Sequence, residues 1–317
     1  MTQSSLLDLS CIVPNSTLIV GLSGGPDSVC LLHLLASLQN SYNLTIIAAH
    51  LNHEWRSNAH EDVTLCQQLC TSLKIPLIVG KGSDYTHLIK KTGSQEDHGR
   101  QMRKAFFTSI KNLYENAFIV VAHHAQDQIE TFFIRLIRGS SLTGLCSMKE
   151  KEGHYLRPLL HSNKTAILDY LAHHNLAFIY DYTNDSDAFL RNRIRKYLVP
   201  ALSLCDERAP QTILKTIASL QQTEDYLQTE TKNLYTPLST PEGSLLLPEF
   251  LALPETMKQR IIVHWICMYA PSFTLTQPFI KEIMRFFEHD HVHTTHHAIG
   301  TNWTLVKKKN AVFIQKV

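Results

Sequence analysis

The chain has 317 residues, of which 44% are hydrophobic and 18% are charged, and its formal net charge is +2 at neutral pH. This length allows two domains with cores of their own, and the composition is typical of a soluble globular protein and excludes a disordered one. The near-neutral charge excludes a uniformly basic surface, so any contact with nucleic acid must be local.

No stretch of about 18 apolar residues occurs, so no membrane span is expected. Residues 1–5 lack a basic region and are not followed by a long apolar one, so no secretory signal is expected. The seven cysteines are odd in number and contain no Cys-x-x-Cys pair. This pattern favours free, buried thiols in a reducing compartment, and a cytoplasmic location is predicted.

The first predicted strand, residues 17–22, leads directly into Ser23-Gly24-Gly25-Pro26-Asp27-Ser28, and residues 29–35 can carry a helical apolar face. A strand, a glycine turn and a helix N-terminus form a cradle for an anion, because free backbone N–H groups point at it. Asp27 adds a candidate metal ligand and Ser28 a hydroxyl group for phosphate. A tight turn without a ligand is the alternative. Neither a Walker A loop nor a dinucleotide fingerprint fits this spacing.

Up to residue 139, short apolar stretches that are typical of strands alternate with segments of helical periodicity. Further strands are predicted at residues 45–50, 76–79 and 117–122, and further helices at residues 58–73, 95–114 and 127–138. This pattern predicts an α/β fold, a doubly wound parallel sheet covered on both faces. Ligands bind at the carboxyl ends of the strands in such sheets, so the polar segments 23–28, 50–56 and 123–130 are the candidate site.

In the last of these segments, His124, Asp127 and Glu130 lie three residues apart and share one face of a helix start, whereas Gln126 does not. Two carboxylates beside a histidine at a strand end suit the binding of Mg²⁺ and polyphosphate. A histidine that only packs or caps the helix is the alternative.

Residues 140–210 form a second block of the same domain, with a predicted helix at residues 164–174. Residues 189–198 are also predicted to be helical and place four cations in six positions, namely Arg191, Arg193, Arg195 and Lys196. A solvated helix face and a face that contacts RNA phosphates both remain open.

After about residue 210 the pattern changes. A spacer helix is predicted at residues 212–234, two or three helical segments between residues 245 and 287, and a hairpin from residues 301–306 and 311–314. Residues 1–208 are therefore predicted to form a nucleotide-binding and catalytic domain, and residues 209–317 a smaller, mostly helical domain. Five histidines between positions 289 and 297 fit no known ligand spacing, which favours a solvated loop over a metal site.

The 23–28 segment resembles the PP-loop of the N-type ATP pyrophosphatases. Four other segments resemble elements of the tRNA(Ile)-lysidine synthetases and their thiolating relatives, namely residues 51–57, 95–103, 123–131 and 181–195. Together with the loop, the resemblance covers roughly residues 15–205. One departure is visible: Gln126 and Asp127 stand where lysidine synthetases commonly have two adjacent aspartates.

The resemblance implies that ATP adenylates the C2 oxygen of the cytidine at the first anticodon position of isoleucine tRNA with a CAU anticodon. Free L-lysine then displaces AMP to give lysidine. No membrane partner is implied, and a homodimer is left open. The implied roles are ATP binding by Ser23, Gly24, Gly25, Pro26, Asp27, Ser28 and His50, Mg²⁺ binding by Asp27, Asp127 and Glu130, catalysis by these three carboxylates with His124 and Arg100, and tRNA binding by Arg56, Arg191, Arg193, Arg195 and Lys196.

Two alternatives remain beside this function. The first is a PP-loop tRNA thiolase, but thiolating relatives commonly need paired cysteines, and Cys66 and Cys70 are spaced wrongly for such a pair. The second is a non-catalytic protein that binds RNA or a nucleotide with a degenerate loop. Such a protein would lack the loop serine, the loop aspartate or the later carboxylates, and all of them are present.

Overall fold

The computed structural model describes residues 6–55, 59–89, 94–180, 187, 189–270, 275–289, 294–299 and 302–316. The chain divides into two compact units, Met1–Ser219 and Leu220–Val317. The sequence places the boundary at residue 208; the division between the units falls inside the long helix Ala209–Leu238. Among the described residues, no helix combines the length and apolar character that crossing a membrane requires.

The first unit is built on a six-stranded sheet in the order β3-β2-β1-β4-β6-β5, parallel except for β5 at one edge. Its strands are β1 (Thr17–Gly21), β2 (Thr45–Asn52), β3 (Leu77–Lys81), β4 (Ala117–Val120), β5 (Lys151–Glu152) and β6 (Tyr155–Leu156). Its helices are α1 (Pro26–Leu38), α2 (Ala59–Leu73), α3 (Gln95–Lys111), α4 (Ala125–Ile137), α5 (Leu142–Leu145), α6 (Lys164–His173), α7 (Leu190–Arg193) and α8 (Val199–Cys205), with a π-helix at Ile194–Leu198 and 3-10 helices at Leu9–Cys11 and Gly82–Leu88.

Strand β1 is buried on both faces of this sheet. Leu18 and Val20 pack into a core that contains α1 side chains, whereas Ile19 points to the opposite face and packs with Phe106 and Phe107 of α3. Because successive side chains of a strand alternate between faces, a strand that is covered on both sides reads as a continuous apolar stretch. The predicted doubly wound parallel sheet is confirmed.

The register of the central strands sets the position of the site. Thr17 of β1 pairs with Thr45 of β2 on one side and with Ala117 of β4 on the other. The three strands therefore start level and run in the same direction, so their carboxyl ends meet at one edge of the sheet. The described parts of the polar segments at these strand ends are brought together there, as the sequence predicts.

The second unit contains the end of α9 (Ala209–Leu238), three further helices and a four-stranded antiparallel sheet in the order β7-β10-β9-β8. These elements are α10 (Leu247–Leu251), α11 (Glu255–Tyr269), α12 (Gln277–Glu288), β7 (Leu245–Leu246), β8 (Thr295–Ala298), β9 (Trp303–Lys308) and β10 (Ala311–Lys316). Phe250, Trp265 and Phe287 are completely buried in its core. The predicted helices and the β9–β10 hairpin are confirmed.

The prediction of a solvated loop is wrong for His296 and His297, which lie in β8 at the edge of the small sheet. The His297 ring stacks on Phe286 with 5.1 Å between ring centroids, and its Nε2 atom is 3.3 Å from Glu282 Oε1. The aromatic neighbour thus gives His297 a packing role, whereas His296 is exposed on the edge strand. His291 and His293 lie outside the described residues.

All seven cysteines are free, as predicted. Five of them are buried, but Cys205 and Cys267 are exposed, so the expectation of burial is wrong for these two. Burial raises the pKa of Cys66 to about 12 and that of Cys70 to about 11. Both thiols are therefore protonated at neutral pH and are poor nucleophiles.

Candidate functional site

The loop after β1 turns sharply at Gly24, whose φ of +85° lies in the left-handed region that favours glycine. Its carbonyl oxygen accepts a hydrogen bond of 2.9 Å from the Ile179 backbone N–H. A Cβ atom at this position would lie 3.0 Å from Ile179 Cδ1. The backbone thus needs glycine at this point, both for its conformation and for the space beside it.

The hydroxyl group of Ser28 ties the loop together. It accepts a 3.2 Å hydrogen bond from the Ser23 backbone N–H and donates one of 2.9 Å to the Gly25 carbonyl oxygen. Helix α1 begins at Pro26 after Gly25, with no side chain capping its first turn. An uncapped helix N-terminus behind a rigid glycine turn is suited to bind an anion such as phosphate.

His50 supports this loop from beneath. Its Nδ1 atom is 2.8 Å from the Leu22 carbonyl oxygen and 3.5 Å from Cys66 Sγ, and the residue is buried. Burial lowers the pKa of His50, although the Leu22 carbonyl and Asp62 oppose this effect. A neutral imidazole that donates from Nδ1 to Leu22 fits these contacts. The structure thus places His50 where it can hold the loop, and its predicted contact with ATP stays a prediction.

His124 lies between two carboxylates that come from different strand ends. Its Nε2 atom is 3.7 Å from Asp27 Oδ1 and 3.5 Å from Asp127 Oδ2. The Asp127 carboxylate also accepts a 2.9 Å hydrogen bond from the His124 backbone N–H at the start of α4. The predicted proximity of His124 and Asp127 is confirmed, and the loop aspartate joins them.

Asp127 carries a negative charge at neutral pH. Burial alone would raise the pKa of its carboxyl group, but His124, His123 and Arg191 and the backbone hydrogen bond from His124 outweigh burial, and the pKa is lowered. An ionised carboxylate facing the phosphate loop can bind a cation or accept a proton.

Glu130 is completely buried, and guanidinium groups engage both of its oxygens. Arg195 donates from Nε to Oε1 at 2.6 Å and from Nη2 to Oε2 at 2.9 Å, while Arg191 Nε lies 3.1 Å from Oε2. Two of the cations that the sequence assigns to tRNA are therefore directed inward to a carboxylate that the sequence assigns to Mg²⁺. This pairing links α4 to α7 and the π-helix.

The three predicted metal ligands are thus in different situations. Asp27 and Asp127 meet at His124, whereas Glu130 is occupied by the two arginines. Within the described ranges, no group of three or more histidine, cysteine, aspartate or glutamate side chains is arranged to hold a metal ion. Mg²⁺ commonly binds one or two carboxylates together with substrate phosphates and water, so Asp27 and Asp127 fit such a site when a nucleotide completes it.

The other cations of residues 189–198 point outward. Arg193 and Lys196 are exposed, and the Tyr197 side chain is half exposed. All three side chains contact Asp187. Its carbonyl oxygen accepts a hydrogen bond from the Arg193 guanidinium group. Its carboxylate lies 3.1 Å from Lys196 Nζ and accepts a 2.6 Å hydrogen bond from the Tyr197 hydroxyl group. The predicted basic face is therefore divided into an inner pair and an outer pair. Arg100 is exposed on α3, and Arg56 lies outside the described residues.

Trp55 adds an aromatic surface that the sequence pattern does not single out. Its indole ring stacks on His53 with 4.5 Å between ring centroids and remains 45% exposed. Gly99 of α3 makes room for it, because a Cβ atom there would lie 2.7 Å from the indole. Burial and the charge of Arg103 lower the pKa of His53 to about 4, so the supporting imidazole is neutral. A flat, exposed ring backed by a neutral imidazole suits the stacking of an unpaired nucleobase.

Lys164, the first residue of α6, is a second residue that the sequence pattern misses. Its Nζ atom lies 2.5 Å from Asp27 Oδ1. The two residues are 137 positions apart in the chain, and periodicity carries no signal for such a contact.

The ATP_bind_3 family model, described as the PP-loop domain, matches residues 2–202. Among curated proteins, a tRNA(Ile)-lysidine synthase of Bacillus cereus (strain ATCC 10987) is 31% identical over an alignment of 294 positions, and the match covers 86% of this chain and 60% of the relative. One of Lactiplantibacillus plantarum is 29% identical over 94% of this chain and 67% of the relative. The chain thus spans about 60% of the length of the Bacillus cereus relative.

Among solved structures, the U34-tRNA thiolase NcsA from Methanococcus maripaludis, with its [4Fe-4S] cluster, superposes with a TM-score of 0.60. The match covers 69% of this chain and 76% of the thiolase at 16% sequence identity. At this identity the likeness concerns the fold alone.

Replacing Glu130 by glutamine is expected to lower the free energy of unfolding by about 2–3 kcal/mol, because Arg191 and Arg195 would lose the charge that neutralises them. The expected loss of stability is smaller than the loss for a fully buried ion pair, since the two arginine side chains are 27% and 34% exposed. Urea denaturation measures the change. Glu96→Gln is the matched control, because Glu96 is 3.5 Å from Arg191 but 45% exposed, and a change below about 1 kcal/mol is expected. Equal stabilities of the two variants would contradict the assignment.

Burial lowers the pKa of His123 from its usual value of 6.5 to about 4, and nearby arginines add to this effect while Asp127 opposes it. Because the unfolded chain binds the proton more readily, the contribution of neutral His123 to stability is complete above pH 6.5 and is lost as the pH falls towards 4. The expected loss is roughly 3 kcal/mol.

Unfolding free energies measured between pH 7 and pH 4 test this prediction. His123→Gln is expected to flatten the decline, whereas His154→Gln, at an exposed position, is expected to leave it unchanged. A profile of His123→Gln that runs parallel to that of the unaltered protein would refute the assignment.

Proposed function

Because the chain belongs to the PP-loop family, we propose that it ligates lysine to C2 of the cytidine at the first anticodon position of isoleucine tRNA, using ATP and forming lysidine. The observation that carries this proposal is the meeting of Asp27, His124 and Asp127 beside the PP-loop. The curated relatives named tRNA(Ile)-lysidine synthase supply the reaction class and the tRNA.

The loop would hold the leaving pyrophosphate. The Asp27 and Ser28 backbone N–H groups at the start of α1 would donate to this anion. The N–H groups of Ser23 and Gly25 donate instead to hydroxyl groups within the loop, and the Ser28 hydroxyl keeps the turn in shape. Asp27 and Asp127 would hold Mg²⁺, which would supply positive charge to the phosphates during attack on the α-phosphorus. The C2 oxygen of cytidine would form the new bond to phosphorus, and pyrophosphate would leave.

The second step needs a proton acceptor. When the lysine amine attacks C2, AMP leaves and the nitrogen must lose a proton. His124 would take this role, because it is buried and its Nε2 atom adjoins the Asp27 and Asp127 carboxylates.

The tRNA would be bound at two places. Arg193 and Lys196 form the exposed basic face for phosphates, while Arg191 and Arg195, held by Glu130, would line the inner side of the site. The exposed indole of Trp55 offers a surface for the unpaired anticodon base. In this proposal the outer pair, Arg193 and Lys196, would contribute to the affinity for tRNA. The inner pair, Arg191 and Arg195, would maintain the shape of the pocket.

The thiolase alternative is less well supported. All seven cysteines are free, and the two nearest in sequence, Cys66 and Cys70, are buried with raised pKa values. Neither thiol is activated for sulfur transfer. The non-catalytic alternative is disfavoured because Asp27 and Asp127 are both present and lie on either side of His124.

The deciding experiment incubates the protein with unmodified isoleucine tRNA carrying a CAU anticodon, ATP and labelled lysine. We expect label in the RNA together with release of AMP and pyrophosphate. A thiolase or a non-catalytic binder would leave the RNA unlabelled, and methionine tRNA is the control substrate. Absence of label with active tRNA would overturn the proposal.

Asp127→Asn is expected to reduce kcat/KM for ATP by the equivalent of several kcal/mol, because a charged group facing the phosphates is removed. Gln126→Ala, at the neighbouring position, is expected to cost on the order of 1 kcal/mol, as for one neutral hydrogen bond. Steady-state kinetics of pyrophosphate release compares the two. A greater loss in Gln126→Ala would show that the wrong side chain has been assigned.

The double variant Arg193→Ala and Lys196→Ala is expected to weaken tRNA binding and to reduce the slope of log K against log salt by about one unit for each phosphate that the side chains no longer reach. Arg208→Ala is the control, because Arg208 is exposed and pairs locally with Asp206. Filter binding at several salt concentrations measures the slopes. A slope equal to that of the control would mean that the outer pair is merely solvated.

A further inference from the structure

We propose that Lys164 is a phosphate ligand that rests on Asp27 in the free protein and moves to the bound nucleotide when a metal ion takes Asp27. This inference rests on the proposed use of ATP by the PP-loop. It adds a residue outside the loop, the strand ends and the basic face.

The ion pair lies at the centre of the candidate site. Lys164 Nζ is 2.5 Å from Asp27 Oδ1, and the same oxygen is 3.7 Å from His124 Nε2. The Lys164 and Asp27 side chains are 30% and 27% exposed. Both side chains are thus partly open to solvent, so the ammonium group is accessible to a ligand that enters beside the loop.

Rigid elements hold the lysine in this place. Asn163 caps α6 by accepting a 2.9 Å hydrogen bond from the Thr165 backbone N–H. The Ser162 carbonyl oxygen accepts one of 3.1 Å from the Ala125 backbone N–H at the start of α4. Ile167, one turn along α6, is completely buried in the core. The start of α6 is thereby fixed beside the helix that carries Asp127.

A lysine is an unfavourable choice for this position on local grounds. The N-terminus of a helix carries partial positive charge, which favours acidic residues in the first turn and disfavours cations. Lys164 is the first residue of α6, so its charge must be compensated from outside the helix. In the free protein Asp27 provides that compensation, and a phosphate group can do so equally well.

The exchange of partners follows from charge. A metal ion that binds Asp27 would repel the ammonium group and take the oxygen that it contacts. The nucleotide brings several negative oxygens to the same loop, and the flexible stem of lysine allows its ammonium group to turn towards them. Positive charge is thus kept beside the loop before and after the nucleotide binds.

Calorimetric titration of ATP in the presence of Mg²⁺ tests the phosphate contact. Lys164→Met, which keeps the stem and removes the charge, is expected to raise the Kd for ATP by about tenfold or more, as for the removal of one charged hydrogen bond. Lys164→Arg is expected to restore most of the affinity. Lys215→Met, at an exposed position of α9, is the matched control and is expected to leave the Kd unchanged.

Binding of Mn²⁺ to the free protein, followed by electron paramagnetic resonance, tests the competition for Asp27. In Lys164→Met the carboxylate is released, so Mn²⁺ is expected to bind more tightly than in the unaltered protein while ATP binds more weakly. Opposite changes in the two affinities support the proposal. An unchanged Kd for ATP, or a loss of both affinities, would overturn it.

These outcomes separate this inference from the proposed function. If the unaltered protein binds ATP and Lys164→Met binds it equally well, only the role of Lys164 is wrong. If the variants behave as expected but no labelled lysine enters tRNA, the lysidine reaction is wrong and the role of Lys164 stands.

Discussion

The site depends on the in-register parallel pairing of β1 with β2 and β4. This pairing brings three chain segments, each with its own charges, to one edge of a sheet whose faces are both buried. The charged side chains of these segments lie close together, so each carboxylate needs a positively charged or hydrogen-bonding neighbour. Lys164 lies against Asp27, His124 against Asp127, and two arginines against Glu130.

Because of this pairing, side chains that are close in sequence and similar in charge lie in different environments. Asp127 and Glu130 lie three residues apart on α4, but Asp127 faces the PP-loop and Glu130 faces the interior. Arg193 and Arg195 are two residues apart, but Arg195 donates to the buried Glu130 carboxylate, whereas Arg193 donates to the Asp187 carbonyl oxygen. In the function proposed for this chain, the exposed side chains would bind ligands and the inner ones would maintain the geometry of the pocket.

The elements of the first unit are predictable from sequence where burial produces a strong pattern. Strand β4 is apolar throughout, β1 is apolar over residues 18–20, and α3 places Met102, Phe106 and Ile110 on one side. Strands β5 and β6 have two residues each, too few to show a period, and β8 is obscured by its histidines. His124 and Asp127 are predictable because their spacing is local. The contacts of Lys164 with Asp27 and of Arg195 with Glu130 join residues 137 and 65 positions apart, which no local pattern encodes.

The left-handed turn at Gly24 has a consequence for how this gene can vary. Every amino acid that a single-base change of a glycine codon can introduce carries a Cβ atom, and here that atom would meet Ile179 Cδ1 at 3.0 Å in a backbone conformation that disfavours side chains. Every change of residue at this codon therefore strains the turn and requires the Ile179 side chain to shift. Ile179 is also the residue whose backbone N–H is hydrogen-bonded to the Gly24 carbonyl oxygen, so the two positions are coupled in how they can vary.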